Sequence, residues 1–425
     1  MTDRETTWPM RPIGDLLKRV SRPVDVQPDA TYREIGIRSH CKGIFHKPEA
    51  TGKKIGNKRV FWIEPGCLVF NIIFAWEQAV AMTSDAESGM IASHRFPMYQ
   101  SRNGKLLPEY AWRYFSTPRG KYDLNIASPG GAGRNKTLGQ EEFKRLKIPV
   151  PPVEHQRRAL DILSTVDRAM ERTGRFIEAK RKLKKGLAQQ LLTGQRRLAG
   201  FGKPAKRRRD GRVDMPNTPP AGWEYARLEQ IASFKSGGTP SKDRPDYWGG
   251  DVPWVSARDL GPHRLQKTGL TVTTAGAKAG SSIVETGAIF ILVRGMTLMK
   301  DVPIGVACCP MAFNQDIRAV IPRKGINRDY LAHFMAFAAP HLRRFVTIAG
   351  HGTGRLEIDS VRAMQVALPP DDEQDRIAEA LGAADREIAL LEKKLAALSE
   401  LKRGLMQTLL SDPTQRAKEG VAADA

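Results

Sequence analysis

Between Ile377 and Leu409, hydrophobic residues recur at alternating steps of four and three: Ile377, Leu381, Ala384, Ile388, Leu391, Leu395, Leu398, then Leu405 and Leu409, with Lys402 in the intervening place. A heptad stripe sustained over this length predicts a long helix packed on a partner helix, with Leu395 in a buried seam. A second segment carries Leu163, Val166, Met170, Ile177, Leu187 and Leu191 in the same register, its seam interrupted by Lys180 and Lys184. Pro151-Pro152 and Pro369-Pro370 precede the two stripes, where proline is tolerated at a helix start. Each segment of about 40 residues would extend roughly 60 Å at about 1.5 Å per residue, which reads as a rod.

The two segments are one sequence written twice. Residues 151–192 and 369–410 align at a constant offset of 218 without a gap and share 15 identities in 42 positions, among them Gln156/Gln374, Asp167/Asp385, Arg168/Arg386, Leu183/Leu401, Lys184/Lys402 and Gln189/Gln407. A repeat of half the chain predicts two units, each a globular part followed by a long helix. The globular parts share landmarks. Both open on a Trp and a short helical element, at Trp8–Val20 and Trp223–Phe234. Both continue through a β-rich stretch around a turn, Val60–Phe70 and Ile283–Val293, to a helical segment, Pro108–Ser116 and Asn327–Phe337. Each then reaches a Gly-rich turn with one arginine, Gly130–Arg134 and Gly350–Arg355, where glycines let backbone approach a phosphate. The expected class is α+β with an internal pseudo-two-fold repeat. Its expected divisions are 1–148, a long helix at 149–199, a basic Pro-rich linker at 200–221, 222–367, a second long helix at 368–412, and a tail at 413–425.

Charge points to a polyanion. Lys plus Arg total 68 against 46 Asp plus Glu, a net charge of +22. The first helical segment, 151–199, holds 12 basic and 5 acidic residues (+7), the second, 371–416, 7 basic and 10 acidic (−3), so opposite charge favours their pairing. The apolar stretch Cys67–Trp76 is too short for a membrane span, and four cysteines give no disulfide framework. With no basic, apolar leader after Met1, a cytoplasmic location is expected. Cys308-Cys309 reads as buried strand.

Catalytic signatures are missing. No G-x-x-x-x-G-K-[ST] phosphate loop occurs, and neither Pro219-Pro220 nor Pro369-Pro370 belongs to an Asn- or Asp-Pro-Pro-aromatic string of the amino-methyltransferase kind. Glu178-Ala-Lys180 lies on the heptad helix without an upstream Pro-Asp, and His40, Cys41 and His46 lack a second ligand pair with zinc spacing. A non-enzymatic subunit with no cofactor and no metal is expected.

The string Val366-Ala-Leu-Pro-Pro-Asp-Asp-Glu-Gln374, leading into a heptad helix that closes on Leu401-Lys-Arg-Gly-Leu-Met-Gln-Thr-Leu-Leu-Ser411, resembles the distal conserved region of Type I restriction-modification specificity subunits. Ile148-Pro-Val-Pro-Pro-Val-Glu-His-Gln156, through Leu183–Gly194, resembles their central conserved region, departing from the family at His155, where the pattern has Glu. Pro253-Trp-Val-Ser-Ala-Arg-Asp-Leu260, Asn314-Gln-Asp316 and Gly222-Trp223 are similar to landmarks of their target-recognition domains. The resemblance implies two target-recognition domains of like fold, held apart by antiparallel coiled-coil helices. Each would read half of a bipartite site in double-stranded DNA while the helices dock two methyltransferase subunits, and restriction/translocase subunits join through the complex.

Under that reading, phosphate contacts position each domain and a few polar or arginine side chains discriminate bases. The candidate DNA contacts are Arg38, Ser39, His40, Lys42, Arg95 and Arg134 in the first domain, and Lys235, Ser236, Thr239, Lys242, Arg258, Arg294 and Arg355 in the second. The candidate partner contacts, on the outer helix faces, are Gln156, Arg168, Gln189, Gln374, Arg386 and Gln407. Three other readings remain: a DNA-binding coiled-coil scaffold outside restriction-modification, a pure coiled-coil scaffold, and a fused restriction-methylation enzyme. DNA binding and the presence or absence of S-adenosylmethionine binding discriminate them.

Overall fold

In a computed structural model of the chain, residues 7–130, 136–204, 219–261, 264–349 and 352–412 are described. The two heptad segments form helices over Val153–Leu192 and Asp371–Leu409. The chain divides into two compact units, the first built from two separate stretches of sequence and the second from the stretch between them. One comprises Met1–Gly174 with Lys394–Ala425, the other Arg175–Lys393. Each unit therefore owns the front half of one long helix and the back half of the other.

The first unit holds two four-stranded sheets. One runs in the order Leu17–Val20, Met98–Ser101, Leu68–Phe70, Val80–Met82 and is antiparallel throughout. The other runs Ile44–Thr51, Thr31–Ile37, Ile91–Ser93, Val60–Trp62, with one parallel pairing, between Thr31–Ile37 and Ile91–Ser93. A short ladder of Met10–Pro12 with Lys147–Pro149 closes the globular part just before the first long helix.

The second unit repeats that topology. The strands Ala232–Ser236, Ile317–Pro322, Ile289–Leu292 and Ile304–Ala307 follow the order of the first sheet, with Arg264–Leu265 added at its edge. Leu270–Val272, Trp248–Val255, Met311–Phe313 and Ile283–Val284 follow the second, again with one parallel pairing. Glu224–Arg227 with Gln365–Leu368 is the closing ladder. Among the described residues a third sheet, Arg294–Gly295, Thr353–Leu356 and Val346–Ala349, belongs to this unit only.

Three local expectations are corrected. The openings Trp8–Val20 and Trp223–Phe234 each form a strand, a single helical turn and a second strand, with turns at Ile13–Leu16 and Leu228–Ile231 that bury Ile13, Leu16, Leu228 and Ile231. The ladder and the sheet edge claim the flanking residues, which leaves one turn for helix. Arg355 lies within the strand Thr353–Leu356 and not in a turn. Cys308 and Cys309 are half-buried in a bend after Ile304–Ala307.

In each unit a domain helix packs against the long helices. Pro108–Phe115 buries Tyr110, Ala111, Tyr114 and Phe115, and Arg328–Leu342 buries Tyr330, Leu331, Phe334 and Met335. The helix stripe joins these cores: Leu160 and Leu163 in the first unit, Ile377 and Leu381 in the second. Leu395 is only half-buried, so the expected seam burial is not reached at that position.

Candidate nucleic-acid interface and helix faces

The repeated helices meet through ion pairs that obey the repeat. In the first unit Lys402 Nζ lies 2.7 Å from Asp167, and in the second Lys184 Nζ lies 2.5 Å from Asp385. Both partners are matched pairs at the offset of 218, so the lysines that interrupt the hydrophobic stripes are each other's counterparts, each bound to the Asp of the other copy. A domain helix adds a third group at equivalent places. Arg113 reaches Asp167 at 2.7 Å, and His333 lies 3.8 Å from Asp385. Burial works to raise the Asp167 carboxyl, but Lys402 and Arg113 together hold it below the usual range. In both units the pairing runs antiparallel: His155 meets Leu409 and Asp167 meets Lys402, while Lys180 meets Glu387 and Arg197 meets Glu373.

Gln156 and Gln374 are not on an outer face, which corrects the expectation that they meet a partner. Both are buried and make the same bonds. Gln156 accepts from Leu107 N at 2.9 Å and donates to Pro151 O at 2.9 Å; Gln374 accepts from Asn327 N at 3.0 Å and donates to Pro369 O at 3.0 Å. Leu107 and Asn327 are the N-caps of the two domain helices, so each glutamine ties the start of its long helix to the start of a domain helix. The repeat kept this residue for folding.

The other partner candidates are differently placed. Arg168, Arg386 and Gln407 are exposed, and Gln189 is half-exposed. Arg168 donates to Ser164 and Thr165 one turn back. Sequence reasoning passed over Leu183 and Leu401, a matched pair that is 64% and 51% exposed. The identity of this pair was legible in the repeat, but its exposure was not, because that depends on what packs against the helices.

In the first domain Arg38–Gly43 is the turn between Thr31–Ile37 and Ile44–Thr51. His40 and Cys41 both take positive φ, 58° and 54°, a conformation that non-glycine residues hold only when surroundings impose it. Here His40 N donates to Glu77 O, Cys41 N to Gln78 O, and Ser39 Oγ to Glu77 Oε2 at 2.9 Å. The fixed turn leaves Arg38, His40 and Lys42 exposed, Arg38 lying 4.9 Å over the Phe45 ring. Ser39 and Phe45 also line a groove of 340 Å³ with Asn71, Phe74 and Phe96, and the exposed Arg95 adjoins Phe96. Arg134 lies outside the described residues.

In the second domain the structure gathers most candidates at one sheet end. Ser236 pairs with Arg318 and Lys235 with Ala319 across the ladder, and Thr239 Oγ1 donates to Gln315 Oε1 at 2.7 Å. Arg294 N donates to Asp316 O, and Arg294 faces Arg355 across strands. Lys242 and Arg258 are exposed on separate turns, the latter in a turn where Ser256 N and Oγ both donate to Asp259. Arg318, at the centre of the gathering, was missed; it stands two residues after the Asn314-Gln-Asp316 string that the sequence had singled out.

Two α+β units of one strand order, built reciprocally from two repeated helices and each carrying a different basic surface, define a class: internally duplicated α+β proteins joined by paired long helices. The profile of the family described as "Type I restriction modification DNA specificity domain" matches residues 71–181 and 220–400, and the chain belongs to that family. It is 23% identical over 285 residues to the type I restriction enzyme EcoR124I/EcoR124II specificity subunit of Escherichia coli, covering 67% of this chain and 64% of that one. It is 18% identical over 408 residues to the type I restriction enzyme HindI specificity subunit of Haemophilus influenzae, covering 83% of this chain and 87% of that one. The match thus spans a little under two thirds of the Escherichia coli relative's length. Among solved structures, the type I restriction-modification S subunit from M. genitalium aligns with a TM-score of 0.59 at 14% identity over 97% of this chain and 98% of that one. A chain from a type I restriction-modification assembly study aligns with a TM-score of 0.55 at 18% identity, covering 96% and 99%. These likenesses concern the fold.

Proposed function

We propose that the chain is the DNA sequence-specificity subunit of a Type I restriction-modification complex, each globular domain, 1–148 and 222–367, reading one half of a bipartite target. The observation that carries this reading is one strand order used twice with unlike basic surfaces: a fixed turn at Arg38–Gly43 in the first unit, an arginine-bearing sheet end in the second. Two readers that share a scaffold and differ in side chains select two different short sequences. The chain itself is read as non-catalytic.

The matched exposed positions Leu183/Leu401 and Arg168/Arg386, with Gln189/Gln407 half-exposed in one copy and exposed in the other, support docking of two copies of one methyltransferase subunit by pseudo-two-fold equivalence. Duplex DNA titration of the full chain tests the reader, and no binding above that of a neutral protein overturns it. Native mass measurement with the modification subunit in saturating excess tests the docking. Two copies are expected; a stable assembly holding one contradicts the symmetric arrangement.

A further inference from the structure

In the second unit's three-stranded sheet, Arg294 stands directly opposite Arg355, and Arg355 directly opposite Thr347. Opposed residues rise from the same face about 5 Å apart, so two guanidinium groups share one face although like charges there oppose folding. Arg318, half-buried on Ile317–Pro322, stands opposite Ile291, three residues before Arg294, and is fixed by bonds from Nη1 to Gln315 O at 3.0 Å and Ile317 O at 3.1 Å. Burial first, then the neighbouring Arg362 and Arg294, push the Arg318 guanidinium below its ordinary value, with Asp316 opposing. Arg362 has Asp359 at 3.3 Å and Arg355 has Glu357 at 3.9 Å. Among the described residues neither Arg294 nor Arg318 makes an ion pair.

We propose that Arg318, with Arg294 and Arg355, forms a clamp for a backbone phosphate of duplex DNA, and sets the register of the second domain without reading a base. The proposal rests on the DNA-reading function above and assigns Arg355 to phosphate. Several guanidinium groups carried on adjoining strands suit the concentrated negative charge of a phosphate, whereas a guanine edge takes a single extended fork. Arg318 is recessed, and part of its fork is already committed to two carbonyls, so it suits an anion brought to the surface better than a base edge inside a groove.

The test is equilibrium binding of the full chain to several duplexes of unrelated sequence across a salt series. Arg318→Gln is expected to lower the slope of log K against log salt by about one and to weaken every duplex alike, while Arg318→Lys keeps the slope. A wild-type slope in Arg318→Gln, or a loss confined to one sequence, overturns the clamp. If thermal melting shows Arg318→Gln to be misfolded, Arg294→Gln provides the same readout. Failure of the wild-type chain to bind any duplex would instead sink the proposed function, so the two failures are distinguishable.

Discussion

At the scale of the residue, Gln156 and Gln374 show how an identity kept in both repeats can mark folding chemistry. Each satisfies a backbone N–H at a domain-helix start and a carbonyl before its own long helix. Gln156→Ala or Gln374→Ala would strand those groups in buried positions, at a cost of about 2 kcal/mol each. Denaturant midpoints of the two variants are expected to fall by similar amounts, and an unchanged midpoint would show the bonds to be dispensable. Asp167 gives a pH-dependent counterpart. Its carboxyl is held low by Lys402 and Arg113, so it contributes stability above the unfolded value of about 4, and loses that contribution as pH falls through the lower folded-state value. Asp167→Asn removes the term and leaves Arg113 buried without its counter-charge; because the carboxylate is partly exposed, the expected cost at neutral pH is about 2 kcal/mol. The measured difference between wild type and variant should narrow below about pH 4. A gap that stays constant down to pH 2 would mean that Asp167 is not the titrating group.

At the scale of the element, the two long helices are not uniform seams. Their ends are buried in domain cores, at Leu163 and Leu381, while Leu395 is half-buried and Leu183, Leu390 and Leu401 are exposed. Leu381→Asp should therefore cost several kcal/mol by placing a carboxylate in an apolar core, whereas Leu395→Asp should cost about 1 kcal/mol or less. Thermal melting of the two variants separates them, and equal losses would indicate a continuous buried seam. The heptad reading located both helices because spacing is a local property of sequence. It placed Lys184 and Lys402 as mere interruptions, since their ion pairs with Asp385 and Asp167 span 201 and 235 residues of chain.

At the scale of the whole molecule, each compact unit combines a domain with one helix half from its own repeat and one from the other. An exchange of residues 222–367 for another family member's domain is expected to change one half-site in methylome sequencing and leave the other intact, because it keeps every residue of the first unit. A change in both half-sites would mean a jointly formed reading surface. The repeat, the two long helices, the matched order of landmarks and the basic balance were all determined by the sequence alone, because periodicity, duplication and charge are written along the chain. Only tertiary structure decided that Gln156 and Gln374 turn inward, that one turn of helix survives between strands at Trp8–Val20, and that Arg318 lies across from the strand that leads into Arg294. The physical reason is common to all three: burial and charge proximity depend on partners far away in sequence, and no local pattern of residues specifies which of them arrive.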